Sequence, residues 1–221
     1  MMERRTDGGR AGKLIVIEGI DRSGRSTQVR LLMEWLEKRK LPDVRTDWST
    51  SPHISKAIHK AKAEGALRPI TFSLFYAADF ADRVANVIEP ALARGEIVVA
   101  DRYIYTAFAR DVARGADRKW LETLYRFAPL PDAVFYLRVT PDVTEKRVPS
   151  VPVKALDRYE AGMDLGLSSD ASQSFRLYQR RVFEAFEQIS TEHGFVVLNG
   201  EDDADDINRA IRSVTRDIMR Q

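Results

Sequence analysis

The run Leu14-Ile15-Val16-Ile17-Glu18-Gly19-Ile20-Asp21-Arg22-Ser23-Gly24-Arg25-Ser26-Thr27 constrains what this chain can fold into more than any other stretch. Four apolar residues read as a buried strand, a loop with a glycine at each end follows, and Ser26-Thr27 open a helical pattern. This is the strand–loop–helix order of a phosphate-binding P-loop. Gly19 and Gly24 let the backbone wrap closely and turn its N–H groups inward, and the helix beginning near Ser26 adds the positive end of its dipole. The loop from Gly19 to Thr27, with Asp21, Arg22 and Ser23 inside it, is therefore a candidate ATP site, and the Ser26 hydroxyl is a candidate Mg²⁺ ligand. The usual lysine of such a loop is replaced by Arg25. Arginine keeps the charge but is larger, planar and forked, which leaves two readings open: a retained grip on the phosphates, or a weakened or altered catalyst.

Composition narrows the class. At 221 residues with 44% apolar side chains, one α/β domain is expected. A net charge of +2, from 35 basic and 33 acidic side chains, argues against a dedicated nucleic-acid binder. The absence of cysteine excludes disulfides, thiolate chemistry and cysteine zinc sites, and the scattered His53, His59 and His193 do not form a metal set. No apolar run approaches a transmembrane length. Residues 1–12 are polar, lack a signal-peptide core and read as a disordered tail before a single domain over 13–221, so the cytoplasm is the expected location.

Strands are expected at 14–17, 44–48, 97–100, 133–139 and 195–198. Helices are expected at 27–39, 52–64, 104–114, 119–127, 141–147, 171–190 and 204–219, with a long one over 69–94 that Pro90 bends. The alternation implies parallel βαβ units, and short strands that are apolar throughout imply a five-stranded parallel sheet covered by helices on both faces. Asp101 and Arg102 fall at the carboxyl end of the third strand, where open parallel sheets bind ligands. Residues 148–170 are the longest stretch without periodicity and read as a lid.

Several segments, taken in order and spacing, resemble the thymidylate kinases over about residues 13–215. They are the run 14–28, Tyr76-Ala77-Ala78-Asp79, Val87-Ile88-Glu89-Pro90-Ala91-Leu92-Ala93-Arg94-Gly95-Glu96, Asp101-Arg102-Tyr103, Pro131-Asp132-Ala133-Val134-Phe135-Tyr136-Leu137 and Asp157-Arg158-Tyr159-Glu160. The resemblance implies a P-loop NTPase fold with a mobile lid, transfer of the ATP γ-phosphoryl group to dTMP with Mg²⁺, and a homodimer. It implies that Asp101 holds the metal or a metal-bound water and that Arg102 clamps the acceptor's phosphate, a salt bridge at a helix start being the alternative. The resemblance further implies that Arg22 stabilises the phosphoryl group in flight and that Arg158 is shared between catalysis and the lid, which also carries Lys154. Arg147 stacks on the donor adenine or is a solvated helix end. Tyr159 lies near the acceptor sugar or packs the lid, Tyr76 stacks on thymine, and Asp21 and Tyr105 join the acceptor set.

Two departures bear on the acceptor. The segment Asp47-Trp48-Ser49-Thr50-Ser51-Pro52 lacks the family's arginine for the acceptor's phosphate, and the family's thymine-reading arginine falls at Phe80. Arg83, further along the same helix, substitutes only in part. Arg102 is then expected to carry most of the phosphate grip, and base selectivity to be relaxed. A different acceptor, or a nucleotide-binding protein of low activity, are the alternatives. A P-loop GTPase is disfavoured by the lack of an Asn-Lys-x-Asp segment.

Overall fold

Successive residues of the central strands go to opposite cores. Leu14 and Val16 face one side of the sheet and Ile15 and Ile17 the other, and Val98/Ala100 against Ile97/Val99, and Val134/Tyr136 against Phe135/Leu137, repeat the pattern. Nearly every residue of these strands is apolar because each face is covered, as parallel sheets require. The computed structural model describes residues 11–147 and 158–220. Its strands are β1 (Lys13–Glu18), β2 (Asp43–Asp47), β3 (Ile97–Asp101), β4 (Ala133–Arg138) and β5 (Val196–Asn199). They form one parallel sheet in the order β2-β3-β1-β4-β5.

Helices α1 (Arg25–Lys38) and α9 (Ala204–Met219) cover one face; Gln28 and Asn208 tie them together through side-chain hydrogen bonds. The other face is covered by α3 (Pro69–Arg83), α4 (Glu89–Ala93), α5 (Ile104–Val112), α6 (Arg118–Leu124) and α8 (Ala171–Glu192). A third, small core of Ile58, Leu67, Phe72, Tyr76 and Tyr159 joins α2 (Ser55–Ala63) to the start of α3 and to the segment before α8. The short α7 (Pro141–Lys146) follows β4. The chain leaves β1 toward β2 and β3 on one side and returns to β4 and β5 on the other, so a crevice opens at the carboxyl end of β1.

The structure refines three of the expected elements. The long helix over 69–94 is interrupted by a π-helical stretch, Val84–Ile88, just ahead of Pro90. Pro90 has no N–H for the Asn86 carbonyl, and the widened turn accommodates that loss. The helix expected from 52 starts at Ser55, because the Ser51 hydroxyl accepts the His53 and Ile54 N–H groups in a preceding turn. The expected lid contributes a turn and the 3₁₀ helix Met163–Leu165; its residues 148–157, with Lys154, and residues 1–10 of the expected tail lie outside the described residues.

Candidate active site

The loop after β1 is built as its glycines suggest. Gly19 sits at φ 152°, and a Cβ there would lie 2.6 Å from the Ser23 hydroxyl and 2.9 Å from the Leu137 carbonyl. Gly24, at φ 99°, precedes α1 with no side-chain cap, so the first N–H groups of a 14-residue helix remain available to an anion. Arg22 adopts φ 68° without being glycine, a costly conformation that concentrates at functional sites.

Arg25 is 7% exposed and its guanidinium folds back into the loop. It donates to the Gly19 and Ile20 carbonyls, the latter at 2.6 Å, and from Nε to Asp101 Oδ1 at 3.2 Å. Burial and the nearby Arg102 lower its pKa from the usual guanidinium value, against the pull of Asp101, Asp21 and Glu18. The Ser26 hydroxyl donates to Asp101 Oδ2 at 2.9 Å, because Asp101 ends β3 in register with Ile17 of β1. Two hard oxygen ligands thus meet beside the loop, and they fit Mg²⁺, which takes few protein oxygens and completes its shell with phosphate and water. Among the described residues no cluster of three or more His, Asp or Glu side chains offers a different metal site.

A second arrangement lies across the crevice. Asp21 accepts from Arg102 through Oδ1 and from Arg110 through Oδ2 at 3.0 Å. Gln179 of α8 donates to Asp21 Oδ2 at 3.0 Å and accepts the Asp21 N–H at 3.3 Å. Burial alone would raise the Asp21 carboxyl, but Arg110, Arg102 and Arg25 outweigh it and hold its pKa well below the usual carboxylate value. Arg102 also adopts a left-handed backbone, φ 76°. These groups line a cavity of about 410 Å³ whose apolar walls are Trp48, Tyr76 and Phe175. Trp48 stacks on Tyr76 with ring centroids 5.6 Å apart, and the Arg22 guanidinium lies 4.9 Å above the Phe175 ring.

A phosphate-binding loop, a hydroxyl–carboxylate pair and a cation-lined cavity with aromatic walls thus share one crevice. The family model for thymidylate kinase matches residues 17–161. A probable thymidylate kinase 2 of Saccharolobus solfataricus is 40% identical over 211 residues, 95% of this chain and 94% of that protein. The chain belongs to the thymidylate kinase family. A probable thymidylate kinase of Thermococcus gammatolerans is 33% identical over 90% of this chain and 94% of its own length, and a thymidylate kinase of Akkermansia muciniphila is 33% identical over 71% and 76%. Family members are nucleoside monophosphate kinases that use ATP, and this chain is such an enzyme.

In this thymidylate kinase family member, not every candidate residue faces the crevice. Phe80 is fully buried among Tyr103, Tyr125 and Phe127 and does not line the cavity: its helix face turns beneath the sheet-side core. Arg83 is likewise buried, donating to Asp79 at 3.0 Å and to the Thr46 hydroxyl at 2.9 Å. Tyr105 packs against His193, Phe195 and Phe108, away from the cavity, because the turn opening α5 points it to the far side. Tyr159 does not line the cavity either; its hydroxyl accepts the Leu67 N–H at 2.9 Å, which is the lid-packing alternative. Arg158 is exposed and its carbonyl accepts the Met163 N–H. Arg147 donates to the Ser23 carbonyl of the loop at 3.3 Å and to the Gly200 carbonyl at 2.6 Å.

Sequence reasoning missed Trp48, Arg110, Gln179 and Glu18. Glu18 is completely buried at the end of β1. It accepts the Tyr103 and Thr106 N–H groups at 2.8 and 3.1 Å and the Thr106 hydroxyl at 2.6 Å, so a strand residue caps α5. Burial pushes its carboxyl up to about 7, against the opposing pull of these bonds and of Arg25 and Arg102. Its place directly before Gly19 was the one available signal.

Proposed function

We propose that this enzyme transfers the γ-phosphoryl group of ATP to dTMP, giving ADP and dTDP. The observation that carries the reading is the shared crevice: the uncapped start of α1 and the glycine loop on one side, the Arg102–Asp21–Arg110 cluster and the Trp48–Tyr76 wall on the other. Its relatives carry the name thymidylate kinase. In this reading the loop N–H groups from Gly19 to Thr27 bind the ATP phosphates, the Arg25 guanidinium turns to them from the Gly19 and Ile20 carbonyls, and Arg147 borders the donor base. Ser26 and Asp101 would hold Mg²⁺, which when bound neutralises charge on the phosphate oxygens. Arg102 orients the acceptor's phosphate, Arg22 meets the charge that develops on the phosphoryl group in transfer, and the acceptor base lies against the Trp48–Tyr76 wall.

The finer assignments follow from the same reading. Residues 13–221 act as one kinase domain after the tail 1–12, and 148–170 act as its lid, with Arg158 at its base. The enzyme works as a homodimer, which the exposed apolar stripe Ile70, Leu74, Ala78 and Ala85 along α3 and the π stretch supports. We assign it to the cytoplasm with its nucleotide substrates; no helix among the described residues is long and apolar enough to cross a membrane. The test is ADP release with ATP–Mg²⁺ and each nucleoside monophosphate in turn. Turnover is expected with dTMP at the highest kcat/KM; no turnover with dTMP, or a clear preference for another monophosphate, overturns the acceptor.

A further inference from the structure

We propose that Arg110 is a second phosphate-binding guanidinium for the acceptor, so that the incoming monophosphate is held between Arg102 and Arg110 and takes both over from the Asp21 carboxylate. The inference rests on the reading above and goes further, because it names a residue that an acceptor of this class would need.

The geometry points to a surrogate. Arg102, two residues ahead of α5, addresses one oxygen of Asp21 and Arg110, within α5, the other, so two guanidinium groups converge on the edge of a single oxyanion. A phosphate presents the same kind of edge to paired guanidinium groups, with more charge. Asp21 has a separate tether in Gln179, which bonds both its carboxylate and its N–H, so it stays anchored when the arginines turn to a ligand.

The charge balance gives the same answer. Of the ionic groups lining the cavity, Lys62 lies 3.8 Å from Glu160, and Asp47 lies 3.2 Å from Arg45. That leaves the guanidinium groups of Arg22, Arg102 and Arg110 against the one carboxylate of Asp21. Arg22 is stacked on Phe175, and no carboxylate pairs with it among the described residues. The excess of two positive charges matches a phosphate monoester dianion. The Arg102 and Arg110 side chains are only 16% and 14% exposed, so their charge is weakly screened and an oxyanion gains more there than at a surface. A purely structural ion pair for Asp21 would be complete with Arg102 alone; adding a second guanidinium without a ligand buries uncompensated charge.

Calorimetric binding of monophosphates and their matching nucleosides tests this: dTMP with thymidine, dUMP with deoxyuridine, dCMP with deoxycytidine. The wild type, Arg110→Gln and Arg110→Lys are compared, with ATP affinity as the check on folding. In Arg110→Gln, the monophosphates that the wild type binds should weaken by on the order of 10- to 100-fold. The nucleosides and ATP should be unchanged. Arg110→Lys, which keeps the charge without the fork, should fall between the two. Equal loss for monophosphate and nucleoside, or no loss for the monophosphate, overturns the proposal. So does a wild type that binds nucleosides as tightly as monophosphates. If the wild type prefers a monophosphate other than dTMP, the acceptor reading falls, while the monophosphate-to-nucleoside ratio still decides the role of Arg110.

Discussion

At Phe80 the resemblance and the packing disagree, and packing decides. The family's base-reading arginine has no room at this place: the Phe80 ring makes edge contacts with Tyr103 and Tyr125 at 4.9 and 5.8 Å and is fully buried. Phe80→Arg would put a guanidinium into an aromatic core already bordered by Arg83, whose charge lies 5.0 Å above the same ring. We therefore expect Phe80→Arg to cost stability, on the order of 3 kcal/mol or more, rather than to sharpen selectivity. Thermal unfolding with and without dTMP checks it: a native-like Tm together with a higher kcat/KM for dTMP would contradict this. At this scale, what was legible in the sequence was chemistry contiguous in the chain or pinned to a strand end: the loop from Gly19 to Thr27, and Asp101-Arg102 after β3. Arg110 and Gln179 were not legible, since they reach Asp21 from 89 and 158 residues away and look like ordinary helix surface in the sequence. Tyr76 and Phe80, four apart, share a helix face, but only the Tyr76 end of that face reaches the cavity.

Among the elements, α5 carries Arg110 and follows Arg102 by two residues, so it places both arginines proposed for the acceptor, and its first turn is held by a carboxylate from another element. Glu18 makes three bonds there, and its pKa is raised to about 7 from the ordinary 4.5. The sign follows directly. The folded chain keeps a proton that the unfolded chain releases, so this group's contribution to stability is fully present below pH 4.5 and is lost as pH rises to about 7. Glu18→Gln removes that dependence. Chemical denaturation at several pH values should show the wild type losing stability relative to Glu18→Gln between pH 4.5 and 7, with no further divergence above; parallel pH profiles for the two proteins would refute it. Strands and most helices were legible because continuous apolar runs and helical apolar periodicity are local signals. The π stretch before Pro90 and the Glu18 cap were not, because the first depends on how the helix absorbs a missing donor and the second on a contact between residues 85 and 88 apart.

For the whole molecule, the exposed apolar stripe on α3 makes the assembly state testable. Ile70 and Leu74 are 66% and 47% exposed, one turn apart, with Ala78 and Ala85 continuing the line. Light scattering should find the wild type as a dimer and Leu74→Glu as a monomer with its ATP site intact; a monomeric wild type, or a dimeric Leu74→Glu, would refute the interface. The fold class was legible because strand–helix alternation admits few topologies, whereas the division into three cores was not. That division has a mechanical meaning. Glu18 bolts the end of β1, where the glycine loop begins, to the start of α5, with Arg102 just ahead of that helix and Arg110 within it. The third core gathers α2, the start of α3 and Tyr159, and Arg114, just past α5, ties it back to the rest by donating to the Tyr159 carbonyl at 2.6 Å. One buried carboxylate thus works as a rivet: loosening Glu18 would unseat the donor loop and the start of α5 together.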